Sequence, residues 1–167
     1  MARRAQGSAS VNMTIKIKNK FFAEGGKQYL DLLTSKEFPE GLGDLSWEFA
    51  MLSVDIDNIY KAYAKERKLF TKAYETYAKK LIEELGEEDK INGQGKVIRP
   101  DNPNHAKFMN DEERLKLEED VKAKMEALSD REFTLEAKII VKLEDLKKLG
   151  VSPATLKVLS VLLDVRK

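Results

Sequence analysis

The sequence predicts an α+β protein, rich in helix, with one long central helix and a small antiparallel sheet that pairs N- and C-terminal strands. Three observations predict it. Apolar and polar residues alternate over Met13–Lys18 and again over Phe133–Val141, which is the period of a half-buried strand. Between them, from Asp44 to Leu85, apolar residues recur at gaps of three and four, which is the period of a helix. Gly and Pro are sparse, with 9 and 4 in 167 residues, so little of the chain is punctuated as loop.

The elements follow in order. Residues 1–12 are expected to form a flexible extension before a single domain over 13–167, because the basic opening leads into no apolar run and Met13 stands at the first strand. Asn19 is placed to cap a following helix, Lys20 to Leu33, whose apolar residues are Phe21, Phe22, Tyr29, Leu30 and Leu33. Gly25-Gly26 weakens that helix by about 1 kcal/mol per glycine. Pro39, Gly41 and Gly43 mark a loop.

The Asp44–Leu85 stripe comprises Leu45, Phe49, Leu52, Ile56, Ile59, Tyr63, Phe70, Tyr74, Tyr77, Leu81 and Leu85. An unbroken helix there would be about 60 Å long, more than a domain of this size spans. Either part of it projects as an arm, or it pairs as in a coiled coil with another helix of the same or a second chain. The stripe shifts phase near Arg67, where a bend or a break is expected. Gly86 is the expected C-cap, and Lys90–Ile98 reads as two short strands around an Asn92-Gly93 turn.

Pro100 and Pro103 bracket an irregular loop carrying His105. A helix then opens on Asn110 as N-cap, with Glu113 completing a capping box, and runs to about Leu128 with Leu117, Val121, Met125 and Leu128 on one face. Phe133–Val141 is the second sheet strand. A short helix from Glu144 stops at Gly150, and Ser152 caps the last helix, with Pro153 at its first position and Leu156, Leu159 and Leu163 as its buried stripe.

Function is read mainly by exclusion. With no cysteine and one histidine, the chain offers no disulfide, no thiolate chemistry and no His-rich metal site. No run approaches the roughly 20 apolar residues that span a bilayer, so no membrane role is expected. Gly86–Gly95 lacks phosphate-loop spacing, and no Ser or Thr lies in a nucleophile-elbow sequence. His105 is expected to be an ordinary loop residue. Asp55 and Asp57, two apart on a helix, face different directions, and Glu113, Glu118, Glu119 and Asp120 read as a solvated acidic face. The expectation is a noncatalytic protein with no cofactor and no metal.

Two binding surfaces remain. Trp47, Phe49, Tyr63, Phe70 and Tyr77 carry large apolar areas that are costly to expose on a lone helix, so a protein partner or self-association is expected to cover them. Lys61, Lys65, Lys68 and Lys72 form a basic ladder along one helix face, with nucleic-acid binding as the alternative role and Tyr60, Tyr63, Tyr74 and Tyr77 as stacking candidates. The total charge of +1 hides segregation: residues 1–27 carry net +5 and 138–167 net +4, against net −7 over 83–137. Meeting of the chain ends is expected to gather positive charge opposite an acidic middle.

The order of Ile15-Lys-Ile-Lys-Asn-Lys20, the Lys/Glu/Tyr-rich helix ending Lys80–Asp89, Asn92-Gly-Gln-Gly95, Leu143-Glu-Asp-Leu146, Val151–Leu156 and Val161-Leu-Leu-Asp164 resembles a group of small proteins of unknown function from tailed bacteriophages and prophages. The similarity runs over residues 13–164. It implies viral origin and action in the cytoplasm of an infected bacterium, and it carries no site residue with it.

Overall fold

The structure is a computed structural model, and it describes residues 14–85, 89–90, 96–136 and 138–167. The expected N-terminal extension, the Gly86 cap and the Asn92-Gly93 turn lie outside the described residues. The fold is α+β, with one long helix and an antiparallel pair that joins a strand near the N-terminus to one near the C-terminus. The chain gathers into two compact units, one built from residues 1–59 and 131–167, the other from 60–130.

In the first unit, β1 (Ile15–Lys18) pairs antiparallel with β4 (Glu132–Leu135), setting Ile15 opposite Leu135 and Ile17 opposite Phe133. The expected Lys20–Leu33 helix divides into α1 (Lys20–Ala23) and α2 (Gly26–Thr34). Gly25 sits at φ +81° between them, a left-handed conformation that glycine adopts without strain. Gly26 is required for a different reason: a Cβ there would lie 2.1 Å from the Phe21 ring. That close approach lets Phe21 and Phe22 pack on each other and on Phe133 over the β1–β4 pair. Asn19 precedes α1 but its side chain makes no capping hydrogen bond.

The long helix α3 (Gly43–Leu85) runs without a break past Arg67, so the shift of the stripe there is absorbed by a continuous helix. Its first four turns belong to the first unit, where Phe49, Leu52 and Ile56 are buried. Phe133–Val141, expected as one strand, is two. After β4 the chain changes partner, and β5 (Ile139–Lys142) pairs in parallel with β6 (Leu163–Arg166), aligning Ile139 with Leu163 and Val141 with Val165. A strand extends only as far as the edge it pairs with, and β1 is four residues long.

The connection from β5 to β6 holds α6 (Leu143–Lys148) and α7 (Pro153–Leu159). The Ser152 side chain accepts from the Thr155 amide at 3.1 Å, with Pro153 in the first turn, as the sequence indicates. The last helix is shorter than its periodicity implied. Leu163 is buried, but as the first residue of β6. Val161-Leu-Leu-Asp-Val165 fits a buried strand as well as a helix, and the parallel partner decides between them. Lys36 donates to the Leu149 carbonyl at 2.8 Å, so a cation satisfies the carbonyl end of α6.

In the second unit, the rest of α3 is followed by β2 (Asp89–Lys90) paired with β3 (Lys96–Val97), the two short strands expected around the turn. His105 does not sit in a loop. It opens a short helix, α4 (His105–Met109), whose C-cap is Asn110. The cap of α5 (Glu112–Asp130) is therefore one residue later than the capping box implied: the Arg114 amide donates to Asp111 Oδ1 at 2.8 Å. Asn and Asp both cap well, and although only Asn110 has a Glu three residues on, closure of α4 consumes it and leaves Asp111 as the cap.

Candidate protein-interaction face

The described residues hold no group of three or more His, Asp or Glu placed to bind a metal ion. Glu118 pairs with Arg114, Asp120 with Lys124, and Asp57 with Lys27, so several of the acidic candidates are engaged in ion pairs within the fold. No helix among the described residues is long and apolar enough to cross a membrane.

The five aromatic candidates do not form one surface. Phe49 is fully buried against Phe38, and Tyr63 is buried beside Tyr60 with the Arg67 guanidinium 5.7 Å from its ring centre. Both serve as core, because their positions continue the inward stripe of α3. Phe70 and Tyr77 are half-buried. Partial burial and the neighbouring Asp111 carboxylate push the Tyr77 phenol up from its ordinary value. Trp47 stands apart from the other four and is 69% exposed.

Trp47 is not alone. Met51 and Val54 are 49% and 55% exposed, and positions 47, 51 and 54 share one side of a helix. This is a second apolar stripe, opposite the Phe49–Leu52–Ile56 stripe that builds the core. The sequence carries its signal, the i, i+4, i+7 spacing, but the stronger inward stripe on the same turns hides it. Ile140 of β5, 55% exposed, adds a fourth apolar group that sequence reasoning missed. Alternation within β5 turns Ile139 and Val141 inward and Ile140 and Lys142 outward.

A groove of about 370 Å³ lies between this part of α3 and the β4–β5 segment, lined by Trp47, Met51 and Leu52 on one wall and Leu135, Ile139 and Ile140 on the other. A second hollow of about 460 Å³ shares Glu48 and Ile140 with it and continues past Asp44, Leu45 and Lys142. The helix wall carries Asp44, Glu48 and Asp55, while the strand side carries both signs, Glu136 and Asp145 beside Lys138, Lys142, Arg166 and Lys167. Asp44, Glu48, Asp55, Lys138 and Lys142 are exposed and form no ion pair with a described residue, whereas Asp145 pairs with Lys148 and Arg166 with Asp164.

The basic ladder lies elsewhere on α3. Lys61, Lys65, Lys68 and Lys72 are all exposed, and no ion pair among the described residues neutralises them. Two of the four tyrosines expected to stack on bases are otherwise occupied. Tyr63 is in the core and the Tyr74 hydroxyl meets Arg114 at 3.2 Å. Beside the ladder, Leu69, Ala73, Tyr77 and Leu117 line a shallow groove of about 520 Å³ rimmed by Lys72 and Lys80.

Compared with protein-family models, curated proteins and solved structures, the chain matches none.

Proposed function

We propose that the protein is a noncatalytic binding protein that works by protein–protein interaction, using the Trp47–Met51–Val54 face of α3 and the groove beside it. The supporting observation is the exposure of Trp47 at the head of the Trp47–Met51–Val54 apolar stripe. A tryptophan left in water forfeits a large apolar burial, and such residues are enriched where a partner later covers them. The resemblance to phage and prophage proteins supports reading this as an accessory role in an infected bacterium, with the protein itself, a host protein or a virion component as partner.

Tagged wild-type protein and the Trp47→Ser/Met51→Ser variant, incubated with extract of cells that make the protein, test this reading. At least one bound species, including untagged copies of the chain, is expected to be lost with the variant. Retention of every bound species by the variant would sink the proposal.

One observation favours a second reading, nucleic-acid binding: four exposed lysines in a row without ion-pair partners among the described residues. Binding of duplex and single-stranded oligonucleotides should then weaken steeply with salt, and Lys65→Glu/Lys68→Glu should weaken it irrespective of sequence. Binding that ignores both salt and the charge reversals removes this reading.

A further inference from the structure

We infer that the ligand of the Lys61–Lys72 row is the phosphate backbone of a double-stranded nucleic acid, held without reading the bases. This rests on the nucleic-acid reading and narrows it to one class of ligand. Lys61, Lys65, Lys68 and Lys72 are all exposed on one unbroken stretch of α3, and none forms an ion pair with a described residue. At about 100° of turn per residue, the four side chains leave the helix within about 60° of arc. The only carboxylate between Lys61 and Lys72 is Glu66, half-buried and about 100° from the nearest lysine of the row. Carboxylates bound the row without entering it. Asp57, one turn before it, lies 2.8 Å from the Lys27 ammonium, and Glu75 stands one turn after it.

A strip of one sign selects a polyanion, and the make-up of the strip selects which. Lysine offers a hydrated point charge rather than the flat fork of arginine, and it is depleted in protein interfaces but common on phosphates. The row spans about 17 Å along the helix axis, and a duplex presents a phosphate about every 3.4 Å along each strand, so about five phosphates of one strand lie within its reach. Proteins that hold single strands add aromatic stacking to charge. No exposed aromatic ring stands in this row. Tyr60, Tyr63 and Tyr74 leave α3 on the side away from it, where Tyr63 is buried, Tyr60 half-buried against it, and the Tyr74 hydroxyl meets Arg114. Tyr77, in the groove beside Lys72, is half-buried next to the Asp111 carboxylate. A duplex has its bases stacked already and needs only the charge. Contacts confined to phosphates fix position and carry no sequence information.

Fluorescence anisotropy of the purified full-length chain with two DNA duplexes of unrelated sequence, an RNA duplex and a single strand, each over a salt series, provides the test. Four phosphate contacts give a slope of log affinity against log salt of about −3.6, so duplex binding should weaken on the order of 100-fold between about 50 and 200 mM salt. The two DNA sequences should bind about equally, and the tighter of DNA and RNA names the source of the phosphates. Lys65→Gln/Lys68→Gln should bring the slope to about −1.8, whereas Lys116→Gln/Lys122→Gln on α5, an equal loss of charge, should leave it unchanged. All four substituted positions are exposed, so circular dichroism should report the same fold in both variants.

A single strand bound more tightly than every duplex overturns the duplex assignment and leaves the nucleic-acid reading standing. Equal losses with the two pairs of substitutions overturn the row as the site. Polyglutamate that displaces a duplex as well as an unlabelled duplex of equal charge does reassigns the row to an acidic protein. A chain that binds neither duplexes nor single strands removes this inference and the nucleic-acid reading together, and leaves the Trp47 face to its own extract experiment.

Discussion

Lys27 is the clearest case of a single side chain holding two elements. Its ammonium bonds Asp31 one turn along α2 and lies 2.8 Å from Asp57 Oδ1 on α3, with only a fifth of the side chain exposed. The Asp31 and Asp57 carboxylates raise its pKa above the ordinary 10.5, overcoming the opposing effect of burial. A raised value in the folded state stabilises the fold fully below the unfolded value, and that contribution fades as pH climbs through the folded value. Lys27→Met should therefore cost about 2 kcal/mol at neutral pH and lose less than wild type between neutral and strongly alkaline conditions. Urea unfolding at the two pH values measures both effects; equal alkaline losses would contradict the assignment. Gly26 illustrates what sequence can and cannot convey at this scale. The Gly25-Gly26 pair is legible as a weak point in a helix, but the Phe21 ring that excludes a Cβ at position 26 is not, because it depends on how two short helices fold back on each other. Gly26→Ala should destabilise by about 1–3 kcal/mol through that overlap. Trp47→Ala, exposed, should change stability by less than about 0.5 kcal/mol in the monomer.

Among the elements, α4 and α5 depend on one buried arginine. Arg114 donates from Nε to the Phe108 carbonyl at 2.8 Å and from a terminal nitrogen to the Met109 carbonyl at 2.9 Å, so it satisfies the last turn of α4 from the first turn of α5. The same guanidinium pairs with Glu118, meets the Tyr74 hydroxyl and lies 5.0 Å from the centre of the Phe108 ring. Arg114→Met leaves two part-buried carbonyl contacts and a hydroxyl without this donor. A loss of about 3 kcal/mol is expected, with faster hydrogen exchange in α4 and the first turn of α5. Unchanged exchange in α4 would mean the arginine is not what anchors it. The sequence announces elements whose signals are local: the Ser152-Pro153 start of α7, the long α3 periodicity, the short strands β2 and β3. It does not announce which partner a strand will find. Phe133–Val141 alternates as far as Ile139, yet β1 takes its first half and β6 takes its second, and Leu163 keeps a helical spacing while serving a strand. For the candidate face, the spacing of Trp47, Met51 and Val54 was available. Its exposure and the facing strand wall were not, since both follow from how β5 is placed in the fold.

At the scale of the whole molecule, the charge division along the chain is diluted by folding. The strongly positive ends share a unit with acidic residues 28–59, and the two units carry net charges of +2 and −1 by residue count. Chain connectivity separates the two units more sharply than charge does. Residues 60–130 are contiguous, so their contacts form over short loops, whereas the first unit closes only when Ile17 meets Phe133 from the far end of the chain. Closing so long a loop is entropically costly, and the buried apolar contacts at the junction must offset it. Ile17→Ala removes one such contact and should cost about 2–4 kcal/mol. Its effect on local opening is expected in β1, β4 and α1, where Phe21, Phe22 and Phe133 pack, while α4 and α5 keep their protection. Arg114→Met should give the reverse pattern. Amide hydrogen exchange on both variants decides the point: reciprocal patterns mean the units open independently, and identical patterns spread over the whole chain mean that it opens as one cooperative body.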